Sequence, residues 1–120
     1  MKHEKLVYIC SPLKGDVEKN ILRAKRYCRF AYSKGFIPIA PHIIFTSFLD
    51  DDNQDERQDG MQMGLKLLLK CHEIWVFGDV VSEGMVIEIK MAKNYRIPIR
   101  RFNAFCDEVE GDILCLKTME

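Results

Sequence analysis

The chain has 120 residues, of which 48% are hydrophobic and 30% charged, and its formal net charge is zero. That balance suits one globular unit spanning residues 1–120, large enough for a single core. It excludes a strongly basic nucleic-acid-binding chain, and no apolar run approaches the ~20 residues needed to cross a bilayer, so neither nucleic acid nor membrane is an expected partner.

Met1, Lys2, His3, Glu4 and Lys5 lead straight into a strand, so no signal peptide is expected. Cys10, Cys28, Cys71, Cys106 and Cys115 are odd in number and lack CxxC spacing. They read as reduced core thiols of a cytoplasmic protein, with a catalytic cysteine as the lesser alternative and no zinc site.

Residues 6–10 form an almost continuous apolar run, as in a buried parallel strand. Ser11, Pro12, Leu13, Lys14, Gly15 and Asp16 break it. Such a loop can hold a phosphate or sugar hydroxyl, or be a plain strand-to-helix turn; it lacks the spacing of a Walker A loop. Residues 17–34 read as a helix with Val17, Ile21, Ala24, Cys28 and Ala31 along its core seam, Asp16 as cap and Gly35 as stop. Its Lys19, Arg23, Lys25, Arg26 and Arg29 read first as a solvated face.

Residues 36–40 form a second strand, which Pro38 makes short or places at an edge. His42 follows at its carboxyl end, where open α/β sheets bind ligands; it is a candidate contact or a turn histidine bonded to backbone. Residues 43–49 suit a short helix. The acidic run 50–59 is either a mobile loop over a site or an acidic helix start, and it lacks the spacing of a hard-cation loop. A helix is expected over about 59–70, with Met61, Gly64, Leu65, Leu68 and Leu69 on one face. Residues 74–77 form a third strand with Trp75 in the core, and 97–99 a fourth. In the tail, 113–116 is a last strand or an arm for a partner subunit.

Between the third and fourth strands lies residues 82–92, a helix with Ser82 as cap and Glu83 in its positive first turn. At about 100° per residue, Glu88 falls among Gly84, Met85, Met91, Ala92 and Tyr95, in the middle of the apolar stripe. A carboxylate there is costly unless it is paired or lines a cavity. It either faces a ligand pocket, sits at a rim, or pairs with an arginine such as Arg100 or Arg101. The order β-α-β-α-β-α-β gives an α/β fold: a Rossmann-like or flavodoxin-like three-layer sandwich, with a small parallel sheet of four to five strands and helices on both faces.

Three stretches resemble the nucleoside 2-deoxyribosyltransferase family, closest to its 2'-deoxynucleoside 5'-monophosphate N-glycosidase branch. Residues 8–15 are similar to that branch's Tyr-Phe-Cys-Gly-Ser-Ile-Arg-Gly. Ala40, Pro41 and His42 are similar to its Thr-Glu-His. The spacing Ser82-x-Gly84-x-x-x-Glu88 is similar to its Ser-Leu-Gly-Val-Gly-Tyr-Glu. The resemblance implies Glu88 as the nucleophile and Tyr8 as the hydroxyl that touches it. It implies substrate binding by Ser11, Pro12, Lys14, Gly15, His42, Ser82 and Gly84, with neither metal nor cofactor. The implied substrate is a small nucleoside or nucleotide, handled by N-glycosidase or deoxyribosyl transfer chemistry. The implied assembly is a homodimer, because neighbouring subunits complete such sites. A nucleotide- or nucleoside-binding module that has lost catalysis is the alternative: the family's acid on the preceding helix matches Gly64 here, and Asp59 lies more than a turn away. Glu83, where the N-glycosidase branch has Leu, would oppose a phosphate.

Overall fold

The computed structural model describes residues 2–110 and 117–118. Its elements are β1 (Lys5–Cys10), α1 (Val17–Ser33), β2 (Phe36–Ile39), α2 (Pro41–Thr46), α3 (Gln54–Leu68), β3 (Glu73–Phe77), β4 (Val80–Val81), α4 (Glu83–Asn94), β5 (Ile99–Phe102), β6 (Glu108–Val109) and β7 (Lys117–Thr118). The main sheet runs β2-β1-β3-β5-β6. Its first four strands are parallel and β6 is antiparallel, pairing Arg101 with Val109 and Phe102 with Glu108. Pro38 lies on the edge strand, where its missing N–H removes no donor from the sheet interior. The expected α/β architecture is therefore what the chain adopts, with β6 as an addition.

Strand alternation sorts two cores onto the two faces of the sheet. Val7, Ile9, Trp75, Phe77 and Phe102 pack with Tyr27 and Ala31 of α1. This side is aromatic: the Tyr27 and Phe77 rings stack at 4.1 Å. Tyr8, Cys10, Ile74 and Val76 face the other way, against Leu65 and Leu68 of α3 and Met85, Ile89 and Ala92 of α4. The chain steps from β1 outward to β2, then crosses back to β3 on the far side of β1. The sheet's switch point thus lies between β1 and β3, and ligand crevices form at the carboxyl ends of strands there.

Several boundaries differ from the sequence expectation. Helix α2 begins at Pro41, so His42 sits in its first turn. Helix α3 begins at Gln54, because the Asn53 side chain accepts from the Asp55 and Glu56 N–H groups at 3.0 and 3.1 Å. Most of the acidic run is therefore a helix start whose acids suit the helix dipole. In α1 the buried positions are Asn20, Ala24, Tyr27 and Ala31, so Val17, Ile21 and Cys28 sit at the seam's margin. Leu69 and Tyr95 are exposed, each lying at the helix end as the C-cap. Trp75 is fully buried, as expected. Gly35, at φ +88°, closes α1 in the left-handed conformation that a side chain would strain. The tail stretch 113–116 lies outside the described residues. No helix among the described residues is long and apolar enough to cross a membrane.

Candidate functional site

A cleft of about 650 Å³ opens at the carboxyl ends of the parallel strands. Tyr8 and Glu88 lie in it with Gly64, Leu65 and Met85. Lys14 comes from the loop after β1, His42 from α2, and Ser82 and Gly84 from the start of α4. Six of the nine expected site residues are therefore brought together. Ser11, Pro12 and Gly15 do not line the cleft. Ser11 is buried, and its Oγ has no hydrogen-bond partner. Gly15, at φ +98°, meets the demand of a turn, since a Cβ there would touch nothing.

Glu88 is 4% exposed, on the inner face of α4 as its position in the apolar stripe implies. Burial pushes its carboxyl up to about 7 from an ordinary 4.5. Hydrogen bonding from the Tyr8 hydroxyl and the Cys10 thiol pulls the other way. The Cys10 Sγ lies 3.8 Å from Glu88 Oε1. The groups acting on Glu88 are thus neutral donors, and the expected alternative of an Arg100 partner is not what the chain uses. Arg100 instead binds Glu108 through two 2.8 Å hydrogen bonds, lies 3.7 Å from Glu73, and covers Trp75. Burial, reinforced by the Glu88 charge, raises Tyr8 and Cys10 well above their usual ranges. Both remain protonated donors at neutral pH.

Ser82 caps α4, its Oγ accepting from the Met85 N–H at 3.3 Å. Ser82 also lines the cleft, and its hydroxyl can still donate one hydrogen bond. His42 Nε2 bonds the Ser11 carbonyl at 2.7 Å, and burial lowers its pKa against that hydrogen bond and against Asp51. His42 is therefore both the backbone-bonded histidine and a wall of the cleft. Gly64 lets α3 approach β1: a Cβ there would stand 3.2 Å from the Tyr8 Oη and 3.5 Å from Pro41.

Residues 5–102 match the model of a family described as Domain of unknown function (DUF7768). The chain belongs to this family. Among curated proteins, none matches the DUF7768 chain. Among solved structures, it resembles the 2-deoxyribosyltransferase of the psychrotolerant bacterium Bacillus psychrosaccharolyticus, with a TM-score of 0.66 at 10% identity, over 96% of this chain and 85% of that one. That protein is described as a biocatalyst for synthesis of antiviral and antitumoral nucleosides. It also resembles the 2-desoxiribosyltransferase of Leishmania mexicana, with a TM-score of 0.54 at 15% identity, over 83% of this chain and 65% of that one. The DUF7768 chain thus spans just under two thirds of the Leishmania protein, and at these identities the likeness is one of fold.

Two features that shape the DUF7768 cleft were not singled out from sequence. The early start of α3 places Gln54, Arg57, Gln58 and Gln62 along one wall, opposite nothing the apolar pattern could have marked. Asn20, buried in α1, donates to the Leu13 and Lys14 carbonyls at 3.0 Å each and so fixes the loop that carries Lys14. A polar residue at a core-seam position was the available signal, as it was at Glu88.

Proposed function

We propose that this DUF7768 protein transfers or hydrolyses the 2-deoxyribosyl group of a small deoxynucleoside or deoxynucleotide, with Glu88 as nucleophile. The observation that carries the reading is a buried carboxylate, held by neutral donors, at the floor of a cleft large enough for such a ligand. The fold shared with two 2-deoxyribosyltransferases supports it.

In this reading the ionised Glu88 attacks C1' of the sugar. The C1'–N bond breaks, its electron pair leaves with the base, and a deoxyribosyl ester forms on Glu88. The transition state resembles an oxocarbenium ion, which a nearby carboxylate stabilises. Attack by water at C1' then releases deoxyribose and completes hydrolysis; attack by the nitrogen of a second base completes transfer. Tyr8 orients the carboxylate. Ser82, Lys14, His42 and Gly84 surround the sugar and its 5' end, and the assembly that goes with this reading is a homodimer.

A binding module is the second reading, and Gly64 favours it. At the position where the resembling family carries an acid, a Cβ would stand 3.2 Å from the Tyr8 hydroxyl, so a side chain there would have to push that hydroxyl aside. Without an acid to protonate it, a neutral purine leaves slowly. The deciding experiment incubates the protein with deoxynucleosides and their 5'-monophosphates, with and without a second free base, and follows the bases by chromatography. Release or exchange that disappears in Glu88→Ala is expected. No release from any member, with ligands still raising the melting temperature and Glu88→Gln keeping its affinity, would overturn catalysis in favour of the module.

A further inference from the structure

Cys10 is a buried titratable group beside the cleft to which the proposed reaction gives no task. It is fully buried at the carboxyl end of β1, and its S–H donates to Glu88 Oε1, 78 residues away in sequence, at 3.8 Å. Tyr8 stands two residues earlier on the same strand, so the two side chains leave the same face of the sheet, about 7 Å apart along the strand. Both reach one carboxylate. Strand β1 is paired on both sides, by β2 and β3, which makes it a rigid base for two donors. Cys10 itself does not line the cleft.

We propose that Cys10 is a positioning residue, whose thiol together with the Tyr8 hydroxyl fixes the Glu88 carboxylate at the floor of the cleft without touching the ligand. The choice of sulfur has a physical consequence. A serine hydroxyl would make a shorter, stronger bond to the carboxylate and bind its anion tightly. The long thiol contact restrains the glutamate side chain while committing it less to the charged form. An ordinary core cysteine would fill the same space with no coupling to the ionisation of Glu88.

The groups around Glu88 make that coupling readable. From β1 come Tyr8 and Cys10; from α3 come Met61, Gly64 and Leu65, which carry no charge; Cys71 acts on Tyr8. Glu83 of α4, His42 of α2 and Lys14 line the same cleft but are not among the groups that shift Glu88.

The test reads the S–H stretching bands of the intact protein by Raman spectroscopy across neutral pH. One band, absent in Cys10→Ala, is expected to move to lower frequency as Glu88 ionises near pH 7, because an ionised acceptor takes a stronger hydrogen bond. The same band should stay still in Glu88→Gln. Burial holds the Cys28 and Cys71 thiols up to about 11 and about 12, so they do not ionise over that range. A Cys10 band that ignores pH, or that moves equally in Glu88→Gln, would overturn the proposal. A second readout follows the Glu88 carboxyl by carbon NMR: Cys10→Ser should lower its titration by about one pH unit and Cys10→Ala should raise it. Identical titrations in the three proteins would also overturn it.

The functional weight of Cys10 rests on the reading that Glu88 reacts, yet neither measurement needs turnover. Intact coupling in a protein that releases no base would overturn the reaction alone. Base release without coupling would overturn the positioning role alone.

Discussion

At Glu88, burial opposes ionisation, and a nucleophile must be ionised. Its carboxyl titrates near 7 in the fold and near 4.5 in the unfolded chain. Between those values the native state holds a proton that the unfolded state has lost, so stability falls as pH rises through the window and is lowest above about 7. The difference corresponds to roughly 3 kcal/mol. Glu88→Gln cannot ionise, so thermal melts should show it more stable than the native sequence at about pH 8, by up to that amount, and nearly equal below pH 4.5. A variant that is less stable at about pH 8 would overturn the raised titration of Glu88, its hydrogen bonds to Tyr8 and Cys10 then outweighing burial. Base release should follow the opposite course, rising with pH to a plateau above about 7, since only the anion attacks.

At the scale of elements, the site depends on how loops are tied to helices. Asn20 gives both amide hydrogens to the Leu13 and Lys14 carbonyls, joining α1 to the loop after β1. Asn20→Ala strands those carbonyls at a cost of ~1–3 kcal/mol. Hydrogen exchange should quicken over residues 13–16 while the β1 amides stay protected, and ligand affinity should fall. An equal loss of protection across the sheet would instead make Asn20 a general core residue. Glu88 was legible in sequence because a carboxylate breaks an apolar stripe. Tyr8 was singled out only by the family resemblance and Cys10 only as a core thiol, because a continuous apolar run does not show which side chains share a face. Asn20 was not recognised: the expected seam ran through Val17 and Ile21, which set Asn20 beside it, and its backbone-carbonyl partners add no pattern of residue types to the one signal of a polar residue in the core. The start of α3 was legible only as one of two alternatives for the acidic run, because Gln54, Gln58 and Gln62 face the cleft and supply none of the apolar periodicity that marks a helix. The antiparallel β6 has only two residues, too few for an alternation to be seen.

For the molecule as a whole, zero net charge conceals an uneven distribution. Helix α1 and its end carry Lys19, Arg23, Lys25, Arg26, Arg29 and Lys34, on the side of the sheet away from α3 and α4. The cleft has Lys14 and Arg57 as its cations, against Asp50, Asp51, Glu56, Glu83 and Glu88. The start of α4 offers backbone N–H groups suited to a phosphate, but Glu83 in its first turn already complements that dipole. A 5'-phosphate carrying about two negative charges therefore enters an acidic cleft, whereas an uncharged deoxynucleoside meets no such opposition. The deoxynucleoside should bind more tightly than its 5'-monophosphate at low salt. Added salt should narrow the gap by strengthening the monophosphate, because screening weakens repulsion between exposed charges. Titration calorimetry of both ligands at low and high salt would show it. If salt instead weakens the monophosphate, attraction by Lys14 and the α4 amides outweighs the surrounding acids, and the 5'-monophosphate becomes the favoured substrate of the proposed reaction.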